Sequence, residues 1–227
     1  MSRIGRVLAG ACAAVLLAGC AAVPVKRYYT LNYVPAPLED RLRPGAYPFV
    51  VRVRDLAIED AYARPQIVYR KSAFELEYYF YRVWAVKPSR MISDLIHKHL
   101  VSSGLVSSVV RRFDEGTRPQ FELGGTIEAI EEYDSDQLWF AHLALHLWMT
   151  RLSDGAVVYS RRFDFRKPVM ANQPELVVKE MSMILEHTLN QLMHDLDAVF
   201  ARETGMEPAQ RPGPDADSTT DAPELWR

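Results

Sequence analysis

Apolar residues along this chain recur at two periods, and the switches between them mark out its elements. Phe49–Leu56 alternates, with Val51 and Val53 on one face and Arg52 and Arg54 on the other, the mark of a half-buried strand. Gln66–Arg70 predicts a second short strand. Phe74–Trp84 predicts a longer third, with Phe74, Leu76, Tyr78, Phe80 and Trp84 on an apolar face and Glu75, Glu77, Tyr79 and Tyr81 on a mixed one. The period then changes. Met91, Ile92, Leu95, Ile96 and Leu100 form a helical stripe from Pro88-Ser89 to about Ser103, with Ser89 as the expected N-cap and Gly104 just past the end. Leu105–Phe113 reads as a strand after it, a crossover unit if its neighbouring strands are parallel. Phe121–Tyr133, Leu138–Arg151 and Ala156–Arg166 follow as a meander with turn material between them. The second of these places Ala141, Leu143, Leu145, Leu147 and Met149 inward. From Pro174 to about Glu203 one stripe runs from Val177 to Phe200, a long helix with Pro in its first turn. The pattern predicts an α/β (α+β) single domain: a mixed, mostly antiparallel sheet of about six strands with two main helices packed on it. No internal repeat is present.

Outside this body the pattern is different. Residues 1–19 carry a basic start at Arg3 and Arg6, then a short apolar run from Val7 to Leu17, the organisation of an export signal. The run is shorter than the ~20 apolar residues a spanning helix needs. It ends in Leu17-Ala18-Gly19-Cys20, which resembles the lipobox of bacterial lipoproteins. That resemblance implies cleavage before Cys20 and acylation of Cys20, with covalent lipid as the only non-protein group and no other cofactor. Residues 20–48 read as the lipidated cysteine, a tether and a short first strand around Tyr28-Tyr29-Thr30-Leu31. Residues 49–204 are the folded domain. Residues 205–227, rich in Pro, Asp and Ser/Thr, have the composition of a disordered tail.

Charge and cysteine usage narrow the chemistry. The formal charge of −2 becomes near −4 once Arg3 and Arg6 leave with the signal (−2 − 2), which argues against a nucleic-acid partner. Cys12 lies in the signal and Cys20 carries the lipid, so no cysteine is left for a disulfide, a thiolate metal site or a nucleophile.

No catalytic or metal-binding residue stands out. His142 and His146 share a strand face ~13 Å apart, too far to bind one metal. His97 and His99 read as surface or satisfied histidines. The serines around Gly104 lack the Gly-x-Ser-x-Gly elbow. Gly124-Gly125 lies mid-strand, where glycine marks a bulge or a close backbone approach. Glu128, Glu131, Glu132, Asp134 and Asp136 read as a solvated strand end and turn. Tyr79 and Tyr81 suggest a protein contact, because tyrosine is enriched at interfaces. Trp139 and Phe140, with Trp148, suggest a second outward patch.

Tyr28-Tyr29-Thr30-Leu31, then Ile67-Val68-Tyr69-Arg70, then Tyr79…Trp84-Ala85…Pro88 before the first helix resembles, in order and spacing behind a lipobox, the ABC-type transport auxiliary lipoproteins. The resemblance covers roughly Tyr28 to Phe200. It implies a non-catalytic, lipid-anchored periplasmic accessory of an MCE/ABC-type lipid transport system linking the inner and outer membranes. Its expected partner is an MCE-domain protein, and self-association into a homo-oligomer is a further expectation. In such lipoproteins an Asp after the cysteine often holds the protein at the inner membrane; Ala21 stands there, which favours the periplasmic face of the outer membrane. Three other readings stay open: a lipoprotein that activates a cell-wall synthase by binding it, a carrier holding an acyl chain, and a hydrolase.

Overall fold

The computed structural model describes residues 24–39, 42, 45–112, 118–135, 138–171 and 173–205. Among these it forms nine strands and two helices. The strands are β1 (Arg27–Tyr29), β2 (Tyr47–Val53), β3 (Ala57–Ile58), β4 (Gln66–Ser72), β5 (Glu75–Trp84), β6 (Val106–Val110), β7 (Phe121–Asp134), β8 (Trp139–Arg151) and β9 (Val157–Val169). The helices are α1 (Pro88–Ser103) and α2 (Pro174–Glu203).

The sheet is organised around β7. Along its whole length one edge pairs antiparallel with β8, which pairs antiparallel with β9. Its other edge pairs parallel with three short strands end to end: β2 at Phe121–Leu123, β3 at Thr126–Ile127 and β4 at Glu131–Tyr133. β6 then adds parallel to β2, β5 antiparallel to β4, and β1 parallel to β5. The sheet therefore has nine strands rather than about six, and it is mixed rather than mostly antiparallel. Chain order made the meander legible. It could not show that three separate short strands share one edge of a single long one, because that pairing joins residues far apart in sequence. The expected crossover is also corrected. β5 opposes β4, while β4, β7, β2 and β6 run together, so the strands flanking α1 are antiparallel to each other.

Both helices follow their stripes. Met91, Ile92, Leu95, Ile96 and Leu100 of α1 are buried, as is the stripe of α2 from Val177 to Phe200. Pro88 occupies the first turn of α1, the N-cap position falls to Lys87 rather than Ser89, and Gly104 closes the helix in the left-handed region (φ 62°). Proline fits the first turn because its missing N–H would have no helical partner there. The helices cover the face carrying Ala141, Leu143, Leu145, Leu147 and Met149, all buried. An aromatic group ties α2 to the sheet: Phe200 lies 5.4 Å from Phe121 and 5.5 Å from Phe49, centroid to centroid. Arg151 of β8 forks onto Glu203 at 2.6 and 3.0 Å and holds the end of the same helix. The described part of the segment expected as a tether contributes to this core, with Tyr29, Leu31 and Tyr47 buried. Tyr33 extends it over α1, its hydroxyl 3.1 Å from His99 Nδ1.

Gly125 is a close-approach position. A Cβ there would sit 2.6 Å from the His146 carbonyl oxygen and 2.6 Å from a Leu147 methyl. The strand cannot yield, since Gly125 pairs directly with Leu147. Gly125→Ala is expected to destabilise the protein by about 1–3 kcal/mol, the cost of overpacking a filled core, read as a lower midpoint in urea unfolding. The bulge itself falls three residues on, at Glu128, between the Ile127–Leu145 and Ala129–Ala144 pairs.

Candidate functional site

On the sheet face away from the helices, the loop between β3 and β4 folds down over the C-terminal half of β7. Under it lies a polar cluster. Glu131 is buried and fully engaged. Its Oε1 accepts from Arg70 Nε at 2.8 Å and His142 Nδ1 at 3.0 Å, and its Oε2 accepts from the Tyr62 hydroxyl at 2.6 Å. Arg70 Nη2 also donates to the Tyr62 hydroxyl at 3.0 Å. His142 Nε2 continues the chain to Asp164 Oδ1 at 2.9 Å, and Arg162 joins Asp164 to Glu128 at 2.9 and 2.5 Å. Burial pushes the Glu131 carboxyl up, but the bonds from His142, Arg70 and Tyr62 outweigh it and hold it down at about 2. Burial and the bond to Glu131 push the Tyr62 phenol up to about 12. Glu131 is thus an anion and Tyr62 a neutral donor across the ordinary pH range.

This arrangement joins the covering loop to β4, β7, β8 and β9. Every oxygen of Glu131 is committed to protein partners, no serine or cysteine is bonded to His142, and no group of three or more His, Cys, Asp or Glu among the described residues could hold a metal. His146 turns instead to the Ser160 hydroxyl, 2.9 Å away. His99 is buried on Tyr33 and held neutral, its pKa lowered to about 4 by burial. A lowered base favours the fold above its ordinary value. The expected result is that the Tyr33 segment loosens on α1 as pH falls from 6.5 toward 4, read as faster amide exchange there.

The carboxylate run is therefore corrected. Glu131 and Glu132 are buried, not solvated. The bulge at Glu128 resets the alternation, so Glu131 faces His142 on the outer side while Glu132 turns inward beside Ala141. Glu132 is met there by the Tyr79 hydroxyl at 3.0 Å.

The aromatic positions separate in the same way. Tyr79 is half-buried, its hydroxyl on Glu132, its ring 4.5 Å from Tyr69 and under the Arg82 guanidinium at 4.4 Å. Tyr81 is at the surface, edge-on to Phe80 at 4.9 Å. Trp139 packs against the core on the helix side, while Phe140 points to the opposite face, 6.4 Å from Tyr133. Trp139 and Phe140 thus form no common patch, because neighbours on a strand point to opposite faces. The apolar face expected for Phe74–Trp84 is also corrected. Phe74 is wholly exposed and Phe80 is 73% exposed, while Val83 and Trp84 are buried. The β4–β5 hairpin runs past Tyr133, near the end of β7, so its tip has no helix above it; only its base lies over the core. Cys20 lies outside the described residues, as do the signal segment and the tail beyond Gly205.

One open cleft, of about 390 Å³, lies between the 30–33 segment and the first turns of α2. Glu175, Lys179, Ser182 and Glu186 line it beside Val178 and Met183, a wall that mixes charged and apolar side chains. No described helix is long and apolar enough to cross a membrane.

The comparisons agree with this fold. A crystal structure of a Xanthomonas campestris protein superposes with a TM-score of 0.71 at 19% identity, covering 79% of this chain and 99% of that one. A second crystal structure, of an uncharacterised protein, superposes with a TM-score of 0.51 at 17% identity, covering 79% and 99%. At such identities the likeness is one of fold. No curated protein sequence matches. The family model described as the ABC-type transport auxiliary lipoprotein component matches residues 29–193, from the strand that opens the sheet to the sixth turn of α2, and the chain belongs to that family.

Proposed function

We propose that the protein is a lipid-anchored, non-catalytic accessory of an MCE/ABC-type lipid transport system, acylated on Cys20 and held at the periplasmic face of the outer membrane. The observation that carries this reading is the conjunction of Leu17-Ala18-Gly19-Cys20 with an auxiliary-lipoprotein body that begins nine residues later. Ala21 after the cysteine supports the outer membrane. The absence of catalysis is supported by the polar cluster, whose groups are spent on one another. A carrier of acyl chains is disfavoured by the open form of the cleft and by the charged Glu175, Lys179 and Glu186 in its wall. Of the four aromatic positions, Tyr81, exposed, and Phe140, half-buried on the face away from the helices, are the ones assigned here to a protein partner; Tyr79 and Trp139 serve the fold.

The test is capture of the full-length protein from detergent-solubilised membranes. An MCE-domain protein and its transporter are the expected companions, and density separation is expected to place the protein with outer-membrane markers. A cell-wall synthase recovered in their place would overturn the reading.

A further inference from the structure

The strand directions say which way the folded body faces its anchor. β1 runs parallel to β5, with Arg27 opposite Arg82 and Tyr29 opposite Trp84. β5 leaves the hairpin tip at Glu75 and runs away from it. The chain before Arg27 therefore arrives from the side of the tip. Seven residue steps separate Cys20 from Arg27, a reach of at most ~24 Å. Along β5, Phe74 lies eight residues before Arg82, ~26 Å at strand rise. Drawn out, the connection brings an anchored Cys20 about level with the hairpin tip and no further.

That same end of the sheet carries bare apolar side chains. Arg70 pairs with Tyr133, Asp134 with Trp139, and Trp139 with Val169, so the hairpin tip, the start of β8 and the end of β9 lie together. Phe74 is 100% exposed there, Met170 94% and Leu138 56%. Lys26 is exposed on the anchor side, while Arg27 is paired with Glu175 and Lys71, beside the tip, with Glu77. Exposed aromatic and apolar side chains grouped at one end of an anchored body are what a headgroup region accepts. In water the same side chains gain nothing from exposure.

We propose that this end of the sheet is a membrane-contact surface: Phe74, Leu138 and Met170 rest in the headgroup layer of the leaflet that holds the anchor. The body then lies against the bilayer with a set orientation and does not swing on its tether. This rests on the anchoring reading above, and it adds a second, weaker contact of the kind that makes lipid attachment stable.

The test uses the full-length acylated protein reconstituted into vesicles of phosphatidylethanolamine and phosphatidylglycerol at 3:1. Phe74→Cys, Met170→Cys and, as a control at the opposite end of β9, Val157→Cys are each labelled with an environment-sensitive dye; all three positions are exposed, so the fold tolerates them. The labels at 74 and 170 are expected to shift to the blue and brighten at least twofold on vesicles, and the label at 157 to stay as in buffer. Protein that floats with the vesicles while the labels at 74 and 170 do not respond overturns the contact surface and leaves the anchor standing. An equal response at 157 also overturns it, as does a response that needs an added protein partner and no lipid. Protein that does not float overturns the anchor, and the surface with it.

Discussion

Cys20→Ser moves the protein from the membrane pellet to the soluble periplasmic fraction. The expectation follows from the additive free energy of buried methylenes, about 0.8 kcal/mol each, which makes two or more chains a stable anchor where one is marginal. Serine has the shape of cysteine but not the thiol on which the acyl chain is built. The described body offers no helix that could replace the anchor. The contact surface at the hairpin end is small, so alone it leaves at most weak, vesicle-dependent binding. Mass spectrometry of the mature amino terminus gives the parallel readout: acylated Cys20 in the native protein, and an unmodified start in the variant. A Cys20→Ser protein that stays in the pellet after carbonate washing would refute the lipid anchor.

The second large effect is on stability. Arg70→Ala removes the cation from Glu131 and leaves a buried carboxylate with two partners in place of three. Removing one member of a buried ion pair costs about 3–5 kcal/mol. Arg70 keeps 22% of its side chain in water, so the lower end applies, and Tm should fall by on the order of 6–12 °C. Arg70→Leu with Glu131→Leu, which removes both charges, should recover much of that loss, because the unpaired charge is then gone. The pH dependence carries a sign. The Glu131 carboxyl is lowered from its ordinary 4.5 to about 2 in the fold. Its contribution is therefore complete above pH 4.5 and is lost as pH falls from there toward 2. Native and Arg70→Ala proteins should differ most at neutral pH and converge near pH 2 in urea-unfolding midpoints. A constant difference across that range would mean that the arginine acts by packing and not by charge.

The buried cluster and the bare hairpin are the two features that alternation misread, and for related reasons. Periodicity reports which residues share a face; it does not report whether anything lies over that face. Phe74, Tyr78 and Phe80 alternate like core residues, yet their hairpin projects beyond the helices and no layer covers it. Glu131 and Glu132 look like the wet end of a strand, yet a loop from one side and Tyr79 from the other close over them. A local signal did exist for the first of these. Arg70 in a short strand, Tyr62 in the loop before it and His142 opposite supply the three donors a buried carboxylate needs. Their convergence depends on the β4–β7 and β7–β8 registers.

What the amino-acid sequence determined unaided is whatever depends on near neighbours. The stripes of α1 and α2, the left-handed close at Gly104, the inward row of β8 and the export and lipobox pattern before residue 21 all rest on spacings of a few residues. Short-range sterics and hydrophobic period act on those spacings directly. Only the tertiary structure decided that three short strands share one edge of β7, that Glu131 is paired under a loop, and that the hairpin tip stands bare on the side from which the chain enters β1. Each of these is a meeting of segments tens of residues apart. Burial and charge pairing are properties of that meeting, so no stretch of the chain carries them by itself.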